Sequence, residues 1–238
     1  MSRIAAIIPA AGLGTRMGAE TPKQFLELDG VPLFIFTLRR LAACSAITEF
    51  FISTRAEDIV FVQDRVAKCG LGRPARVIHG GDTRQQSVSN ALGQVDPTTE
   101  VVLVHDAVRP FVTPEQASRV ISEARARGAA ILGIPAIDTV KEVKRASLPE
   151  DVALITATIP RERIVLAQTP QAFTYPLLRD AFRKAQQDDV TASDEAALVE
   201  RFEHDVYVVL GSERNLKITR PADMELARFY LAQERAGK

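Results

Sequence analysis

The segment "IIPAAGLGTRMGAETPKQF", residues 7–25, indicates the fold. An apolar run typical of a buried strand passes directly into alanines and glycines, and the segment then contributes Arg16 and Lys23. Spacing excludes two common glycine-rich turns: Met17 replaces the third glycine of a dinucleotide-binding turn, and Ala-Glu follows Gly18 where a P-loop needs Lys-Ser or Lys-Thr. The small residues would still let backbone N–H groups approach an anion. The alternative is a plain strand-to-helix turn with two solvated cations.

Composition limits the class of protein. The chain has 238 residues, and its 30 Lys and Arg are balanced by 30 Asp and Glu. The net charge is therefore zero, which argues against general binding of nucleic acid, since that requires a basic surface. No apolar run reaches the roughly 18 residues of a membrane span, so we expect no membrane partner. Cys44 and Cys69 lack metal-ligand spacing and are predicted to be packing residues in a reducing, cytoplasmic compartment.

Strand-like runs alternate with helix-like segments through the first 134 residues. The predicted strands are Ile4–Ile8, Glu49–Ser53, Arg76–His79, Val101–His105 and Ala129–Ile134. The predicted helices are Leu33–Cys44, Ala56–Lys68, Thr83–Leu92 and one that begins at the capping box Thr113–Gln116. This alternation predicts an α/β protein with a doubly wound, mostly parallel sheet covered on both faces. Ligands of such sheets bind outside the carboxyl ends of the strands.

The alternation stops near Asp138. Two strand-like runs, Thr139–Val143 and Ala153–Ile159, flank a polar turn that contains Pro149, which predicts a two-stranded ribbon. Because an isolated hairpin is marginal in water, the ribbon either packs on a second subunit or folds back on its own domain. The last predicted elements are a helix at Asp194–Phe202, strands at Val206–Leu210 and Leu216–Thr219, and a helix from Pro221 to about Glu234.

Polar residues follow the buried strand of "VVLVHDAVRPF", residues 101–111. Asp106 is suitably placed for a Mg²⁺ ion bridged to substrate phosphates, and Arg109 could bind a phosphate with its guanidinium fork. The alternative is an Asp–Arg pair that only stabilises the loop. Lys217 lies in a predicted strand, where a lysine on a buried face would need an anionic partner.

Two further segments carry candidate residues. "HGGDTRQQS", residues 79–87, offers glycines, Asp82 and Ser87, although Asp82 could simply cap the following helix. In "ASDEA", residues 192–196, Ser193 is the predicted N-cap and Glu195 lies in the first turn. Neither segment is specific alone.

The ordered set of motifs is specific. "PAAGLGTRMG…PKQF", "GGDTRQQSV", "VHDAVRPF", "DTVK", "QTPQAF", "SDEA" and "NLKITRP" occur in this order over roughly residues 4–230. In these motifs the chain resembles the 2-C-methyl-D-erythritol 4-phosphate cytidylyltransferases of the non-mevalonate isoprenoid pathway. The resemblance implies a single Rossmann-like nucleotidyltransferase domain over residues 1–238, with an inserted, protruding β-arm at residues 138–160 that forms a homodimer.

The resemblance also implies roles for individual residues. CTP would be bound by Ala10, Ala11, Gly12, Gly14, Gly81, Asp82, Ser87 and Asp106, with Asp106 also at the Mg²⁺ cofactor. The catalytic cations would be Arg16, Lys23 and Lys217. The methylerythritol phosphate would be bound by Arg109, Thr139, Arg161, Thr169 and Ser193, of which Thr139 and Arg161 would reach the site of the partner subunit.

The implied reaction joins two polyanions. An oxygen of the acceptor phosphate would attack the α-phosphorus of CTP and release pyrophosphate, so catalysis would rest on positioning and charge neutralisation. Two rival functions remain open from the sequence. "HDAVRPF" also occurs in ribitol 5-phosphate cytidylyltransferases, and a non-catalytic module could bind CTP without turnover.

Overall fold

The structure, a computed structural model, describes residues 2–12, 22–144 and 152–237. Its strands are β1 Ile4–Pro9, β2 Glu27–Leu28, β3 Val31–Pro32, β4 Glu49–Thr54, β5 Ala75–His79, β6 Val101–Val104, β7 Ala129–Pro135, β8 Val140–Lys144, β9 Leu154–Ile159, β10 Val165–Thr174 and β11 Tyr207–Leu210. Its α-helices are α1 Leu33–Ala42, α2 Ile59–Lys68, α3 Arg84–Leu92, α4 Pro114–Arg127, α5 Tyr175–Gln187, α6 Glu195–Arg201 and α7 Pro221–Ala236.

A seven-stranded sheet organises the described part of the chain, in the order β11-β7-β10-β6-β1-β4-β5. Strands β6, β1, β4 and β5 are mutually parallel, and β11 is parallel to β7. Strand β10 runs antiparallel to both of its neighbours. The carboxyl ends of β1, β4, β5 and β6 therefore meet at one edge, where the polar loops of the sequence are expected to bind a ligand.

Helices cover both faces of this sheet. One apolar cluster joins α1, α2 and α4 to the sheet and contains Phe34, Val62 and Val120. The opposite cluster joins α3, α5 and α6 and contains Val88 and Leu198. Strands buried on both faces read as continuous apolar runs because neither set of side chains reaches water, which is the pattern seen in β1 and β6.

The predicted α/β class and mostly parallel sheet are confirmed. Each predicted element before residue 135 is present with shifts of a few residues at its ends, and residues 56–58 of the predicted second helix form a separate 3₁₀ turn. The capping box at Thr113 is also present, since its hydroxyl accepts the N–H of Gln116 while the Gln116 side chain accepts the N–H of Thr113. Within the described ranges, no helix is both long and apolar enough to cross a bilayer.

In the second half, two elements were not predicted and two predictions need correction. Strand β10 was missed because polar residues and Pro170 interrupt its pattern, and helix α5 was missed although its apolar residues repeat at helical spacing. Residues 216–219 are not a strand: the Ile218 N–H donates to the Val108 carbonyl, but no ladder forms. The N-cap of α6 is Asp194 rather than Ser193, since the Asp194 carboxylate accepts the N–H of Ala197.

The predicted ribbon is present as β8 and β9, a two-stranded antiparallel sheet separate from the large one. Its predicted turn, which contains Pro149, lies outside the described residues. Apolar side chains of the ribbon are exposed in the single chain: Val143 by 42%, Leu154 by 61% and Ile155 by 56%. Within the described residues, the ribbon therefore does not bury these groups against its own domain.

Candidate active site

A cavity of about 220 Å³ lies at the carboxyl ends of β1 and β6 and the amino end of α3. Sequence-predicted residues that line it are Ala10, Ala11, Gly12, Lys23, Gly81, Asp82, Ser87, Asp106 and Lys217. The three loops proposed from the sequence thus converge on one pocket. Gly14 and Arg16, also predicted at this site, lie outside the described residues.

Hydrogen bonds fix the two glycine-containing loops of the pocket. The buried Gln24 side chain donates from Nε2 to the Ala10 carbonyl at 2.7 Å and so joins the loop after β1 to the turn at Lys23–Phe25. In the second loop, the buried Ser87 hydroxyl accepts the Gly81 N–H at 3.0 Å. A Cβ at Gly80 would lie 2.8 Å from the Ala11 Cβ and 3.2 Å from the Thr54 carbonyl oxygen, so the backbone of Gly80 requires glycine.

The cap of α3 is also defined. The Thr83 hydroxyl accepts the Gln86 N–H at 3.0 Å, so Thr83 rather than Asp82 is the N-cap. The Asp82 side chain is therefore not required for helix capping and lies exposed at the pocket wall. The alternative role weighed for Asp82 from the sequence is wrong.

Asp106 is the carboxylate at the floor of the pocket, and it is surrounded by cations. Its Oδ2 lies 2.9 Å from Lys217 Nζ and 3.2 Å from Arg109 Nε, and its Oδ1 lies 3.4 Å from Arg84 Nε. Burial by itself would raise the pKa of Asp106, but the charges of Arg84, Lys217 and Arg109 outweigh burial and hold this pKa well below its usual range. The anionic partner predicted for Lys217 is thus Asp106.

Behind Asp106, a buried histidine fixes the loop. Thr169 Oγ1 accepts the Asp106 N–H at 3.0 Å. Because the Arg109 carbonyl, 3.2 Å from His105 Nε2, can only accept, the neutral ring carries its proton on Nε2, and Nδ1 accepts from the Thr169 hydroxyl at 3.0 Å. Burial lowers the pKa of His105 to about 4, despite the nearby Asp106 charge. A neutral histidine with both ring nitrogens engaged is unsuited to general-base chemistry.

Arg84 and Glu195 are further residues of the site that no local sequence pattern singled out. Arg84 lines the cavity from the first turn of α3, and its Nη1 and Nη2 donate to the two oxygens of Glu195 at 2.7 and 3.0 Å. Burial raises the pKa of Glu195, and the Arg84 charge opposes that rise. The two residues are 111 positions apart, so no local spacing pattern could have paired them; only their places in the two quoted motifs were a signal.

The predicted acceptor-binding residues lie outside the cavity lining. Arg109 and Thr169 are buried directly behind its floor, while Ser193 is exposed near α6. Thr139 and Arg161 are exposed at the base of the ribbon, where Arg161 Nη1 donates to the Ile137 carbonyl at 2.6 Å. Their contacts with the acceptor remain predictions.

The donor set fits a magnesium ion carried mainly by substrate phosphates. Mg²⁺ keeps several waters and commonly takes one or two carboxylates together with phosphate oxygens. Asp106 supplies one carboxylate, and among the described residues its Oδ1 has a single cationic contact, which leaves acceptor capacity on that oxygen. Among the described residues, no three His, Cys, Asp or Glu side chains are grouped as a metal site, so a protein-only magnesium cage does not fit.

The doubly wound sheet and the cationic pocket at its carboxyl edge define a nucleotide-binding α/β protein of the Rossmann-like type. A family model described as "IspD: 2-C-methyl-D-erythritol 4-phosphate cytidylyltransferase" matches residues 4–233. The chain belongs to this cytidylyltransferase family, which confirms the resemblance found from the motifs.

Individual relatives agree along nearly the whole chain. The chain is 52% identical to the 2-C-methyl-D-erythritol 4-phosphate cytidylyltransferase of Acidobacterium capsulatum, over 97% of this chain and 98% of that protein. The fold is similar to the crystal structure of 4-diphosphocytidyl-2C-methyl-D-erythritol synthase from Anaerococcus prevotii, with a TM-score of 0.83 and 32% sequence identity over 97% of this chain and 96% of that one. The cytidylyltransferase structure from Thermus thermophilus is 34% identical, with a TM-score of 0.76 over 96% and 98%. These relatives do not favour the ribitol 5-phosphate alternative.

Proposed function

We propose that this enzyme transfers the cytidylyl group of CTP to 2-C-methyl-D-erythritol 4-phosphate in the non-mevalonate pathway, giving 4-diphosphocytidyl-2-C-methyl-D-erythritol and pyrophosphate. The observation that carries the proposal is the cationic pocket at the carboxyl edge of the sheet, in a chain that belongs to the family along nearly its full length. Ala10 and Ala11 form a small-residue wall suited to a pyrimidine, with Gly12, Gly81, Asp82 and Ser87 completing the nucleotide-binding surface.

The acceptor phosphate is itself the nucleophile. Its second pKa is near ~6, so it is mostly dianionic at neutral pH and needs no general base. This agrees with the surroundings of His105, which has neither a free ring nitrogen nor access to the cavity. The barrier comes instead from bringing two polyanions together, and cations in the pocket lower it.

Lys23 and Lys217 are the described cations that we assign to the crowded α-phosphate, together with Arg16. Lys217 is held toward the pocket floor by Asp106, which orients its ammonium group without consuming all three of its donors. Asp106 is the residue that would hold Mg²⁺, and the bound ion would neutralise charge on the triphosphate oxygens. Arg109 and Arg161 would orient the acceptor phosphate, with Thr139, Thr169 and Ser193 around the acceptor.

The ribbon would complete the site in a homodimer. Its exposed apolar side chains need a cover, and Arg161 follows β9 directly, at the end that joins the main domain. We therefore assign residues 138–160 as the dimerisation arm and place Arg161 and Thr139 at the site of the partner subunit. We also assign the enzyme to the cytoplasm, in keeping with its two unpaired, buried cysteines.

A pyrophosphate-release assay tests this function. The enzyme with Mg²⁺ is offered each of the four nucleoside triphosphates with either 2-C-methyl-D-erythritol 4-phosphate or ribitol 5-phosphate. The proposal predicts release that requires CTP, the methylerythritol acceptor and Mg²⁺. Faster release with ribitol 5-phosphate would favour the rival enzyme, and CTP binding without release would favour a binding module.

A further inference from the structure

Glu195 is a buried carboxylate that touches the pocket only through another residue. It is 1% exposed and is not part of the cavity lining. Both of its oxygens accept from the guanidinium of Arg84, at 2.7 and 3.0 Å. Among the described residues, its hydrogen-bonded contact with the pocket lining is therefore Arg84, and its charge also acts on Asp106.

The backbone on both sides of Glu195 is anchored to the sheet. The buried Gln171 of β10 donates to the Asp194 carboxylate at 2.8 Å and accepts the Ala196 N–H at 3.1 Å. The segment before it is tied to α3, because Gln85 donates to the Val190 carbonyl at 2.9 Å and accepts a backbone N–H from residue 192 at the same distance. These hydrogen bonds hold the backbone around Glu195 in place, and the Glu195 carboxylate in turn fixes the position of the Arg84 guanidinium.

Stability alone gives a weak reason for this pair. Removing the Glu195 carboxylate from water costs several kcal/mol, which the pairing with the partly exposed Arg84 has to offset, and well-packed apolar residues often replace buried ion pairs without loss. A bidentate Arg–carboxylate pair does, however, fix the plane of the guanidinium. Stability therefore does not account for the fixed orientation of Arg84, a residue that lines the pocket.

Three cations, Arg84, Lys217 and Arg109, share the two carboxylate oxygens of Asp106. Because both terminal nitrogens of Arg84 donate to Glu195, only its Nε faces Asp106 Oδ1, at 3.4 Å. Oδ2 stays with Lys217 at 2.9 Å and Arg109 at 3.2 Å. Without the Glu195 charge, the Arg84 fork would be drawn onto Asp106 and would compete for the oxygen that holds Lys217.

We propose that Glu195 is a positioning residue for the transfer: it holds the Arg84 fork away from Asp106, so that Asp106 keeps Lys217 aimed into the pocket. The inference rests on the proposed function, in which Lys217 acts at the α-phosphate. Glu195 contributes no contact to either substrate.

The first test compares Glu195→Gln with a matched control. Glu49 also pairs with an arginine while largely buried, with Arg3 Nη2 at 3.2 Å, but it begins β4 at the opposite edge of the sheet. We expect Glu195→Gln to lower kcat by about 10- to 100-fold, the scale of a misplaced catalytic group, with a smaller change in KM for CTP. Glu49→Gln should keep native kcat. Native kcat in folded Glu195→Gln would overturn the proposal.

A double-mutant cycle tests whether the effect passes through Arg84. Once Arg84→Gln is present, adding Glu195→Gln should cause no further loss of kcat, because the group that Glu195 holds is gone. Losses that multiply would mean that Glu195 acts independently, which contradicts the proposal. Arg84→Lys keeps the charge but cannot form the fork, and it serves as the test if Glu195→Gln does not fold. We expect a loss of kcat there too, and native kcat in Arg84→Lys would overturn the positioning role.

Crystal structures of the wild type and Glu195→Gln separate this proposal from the proposed function. The guanidinium of Arg84 should move toward Asp106 in the variant, whether or not the protein turns over CTP. An unmoved guanidinium contradicts the positioning role. Absence of wild-type turnover contradicts the proposed function alone.

Discussion

Protonation of His105 should make the folding stability depend on pH. Its pKa is lowered from 6.5 to about 4 by burial. Between these values the unfolded chain binds a proton that the folded protein excludes, so stability is fully present above pH 6.5 and falls as the pH drops toward 4. From these two pKa values, His105 should remove about 2 kcal/mol from the free energy of unfolding between pH 7 and pH 5.

Urea unfolding followed by far-UV circular dichroism at both pH values measures this loss. His105→Gln removes the titrating group, so the variant should lose about 2 kcal/mol less than the wild type over the same interval, whatever its stability at pH 7. His204→Gln, at an exposed histidine, is the control and should follow the wild type. An equal pH dependence in wild type and His105→Gln would refute the assignment of His105 as a buried neutral residue.

Three further predictions concern the cations, the arm and the thiols. Lys23→Ala and Lys217→Ala should each lower kcat by about 10²–10³-fold, the scale of one lost transition-state contact, and near-native kcat in a folded variant would remove that lysine from the mechanism. Heterodimers of Lys23→Ala and Arg161→Ala chains, purified through two tags, should regain up to half the native turnover, because one of their two sites has an intact loop and an intact partner arm. Stable but inactive heterodimers would show that Arg161 does not act in trans. The Cys44→Ser/Cys69→Ala variant should keep most of its turnover, because neither thiol lines the pocket, and a folded but inactive protein would reveal a functional cysteine.

Most of the first half of the fold was predictable because its α-helices and the strands of the large sheet have strong local signals, whereas the two-residue strands β2 and β3 were not predicted. Phe34, Leu38 and Leu41 repeat at helical spacing and are all fully buried on α1. The strand of residues 101–104 is a short apolar run, as a strand buried on both faces requires. Local sequence patterns were therefore sufficient to predict the carboxyl ends of β1 and β6, where the pocket lies.

The segment from residue 165 to 187 was harder for a physical reason. Strand β10 runs antiparallel between two other strands, and its register shifts between Gln168 and Gln171, around Pro170. A proline normally argues against a central strand, so the sequence of β10 does not indicate the central strand that it forms. Helix α5 did carry a signal, since Leu178, Ala181, Phe182 and Ala185 are buried at helical spacing.

The pocket could be predicted only in part. Single motifs identified Asp106 and Lys217 as charged groups, but their 2.9 Å contact depends on how the segment before α7 packs against the loop after β6. The pairing of Arg84 with Glu195 depends on the amino ends of α3 and α6 meeting in the fold. Such contacts come from tertiary structure, and residue spacing along the chain does not determine them.

Phosphorus-31 NMR can follow whether the cationic pocket joins CTP to a phosphate monoester. In a mixture of the enzyme with Mg²⁺, CTP and 2-C-methyl-D-erythritol 4-phosphate, we expect the acceptor monoester signal to disappear as an unsymmetrical diphosphate and free pyrophosphate appear in equal amounts. Persistence of the monoester signal, or release of orthophosphate without a new diphosphate, would contradict the proposed function.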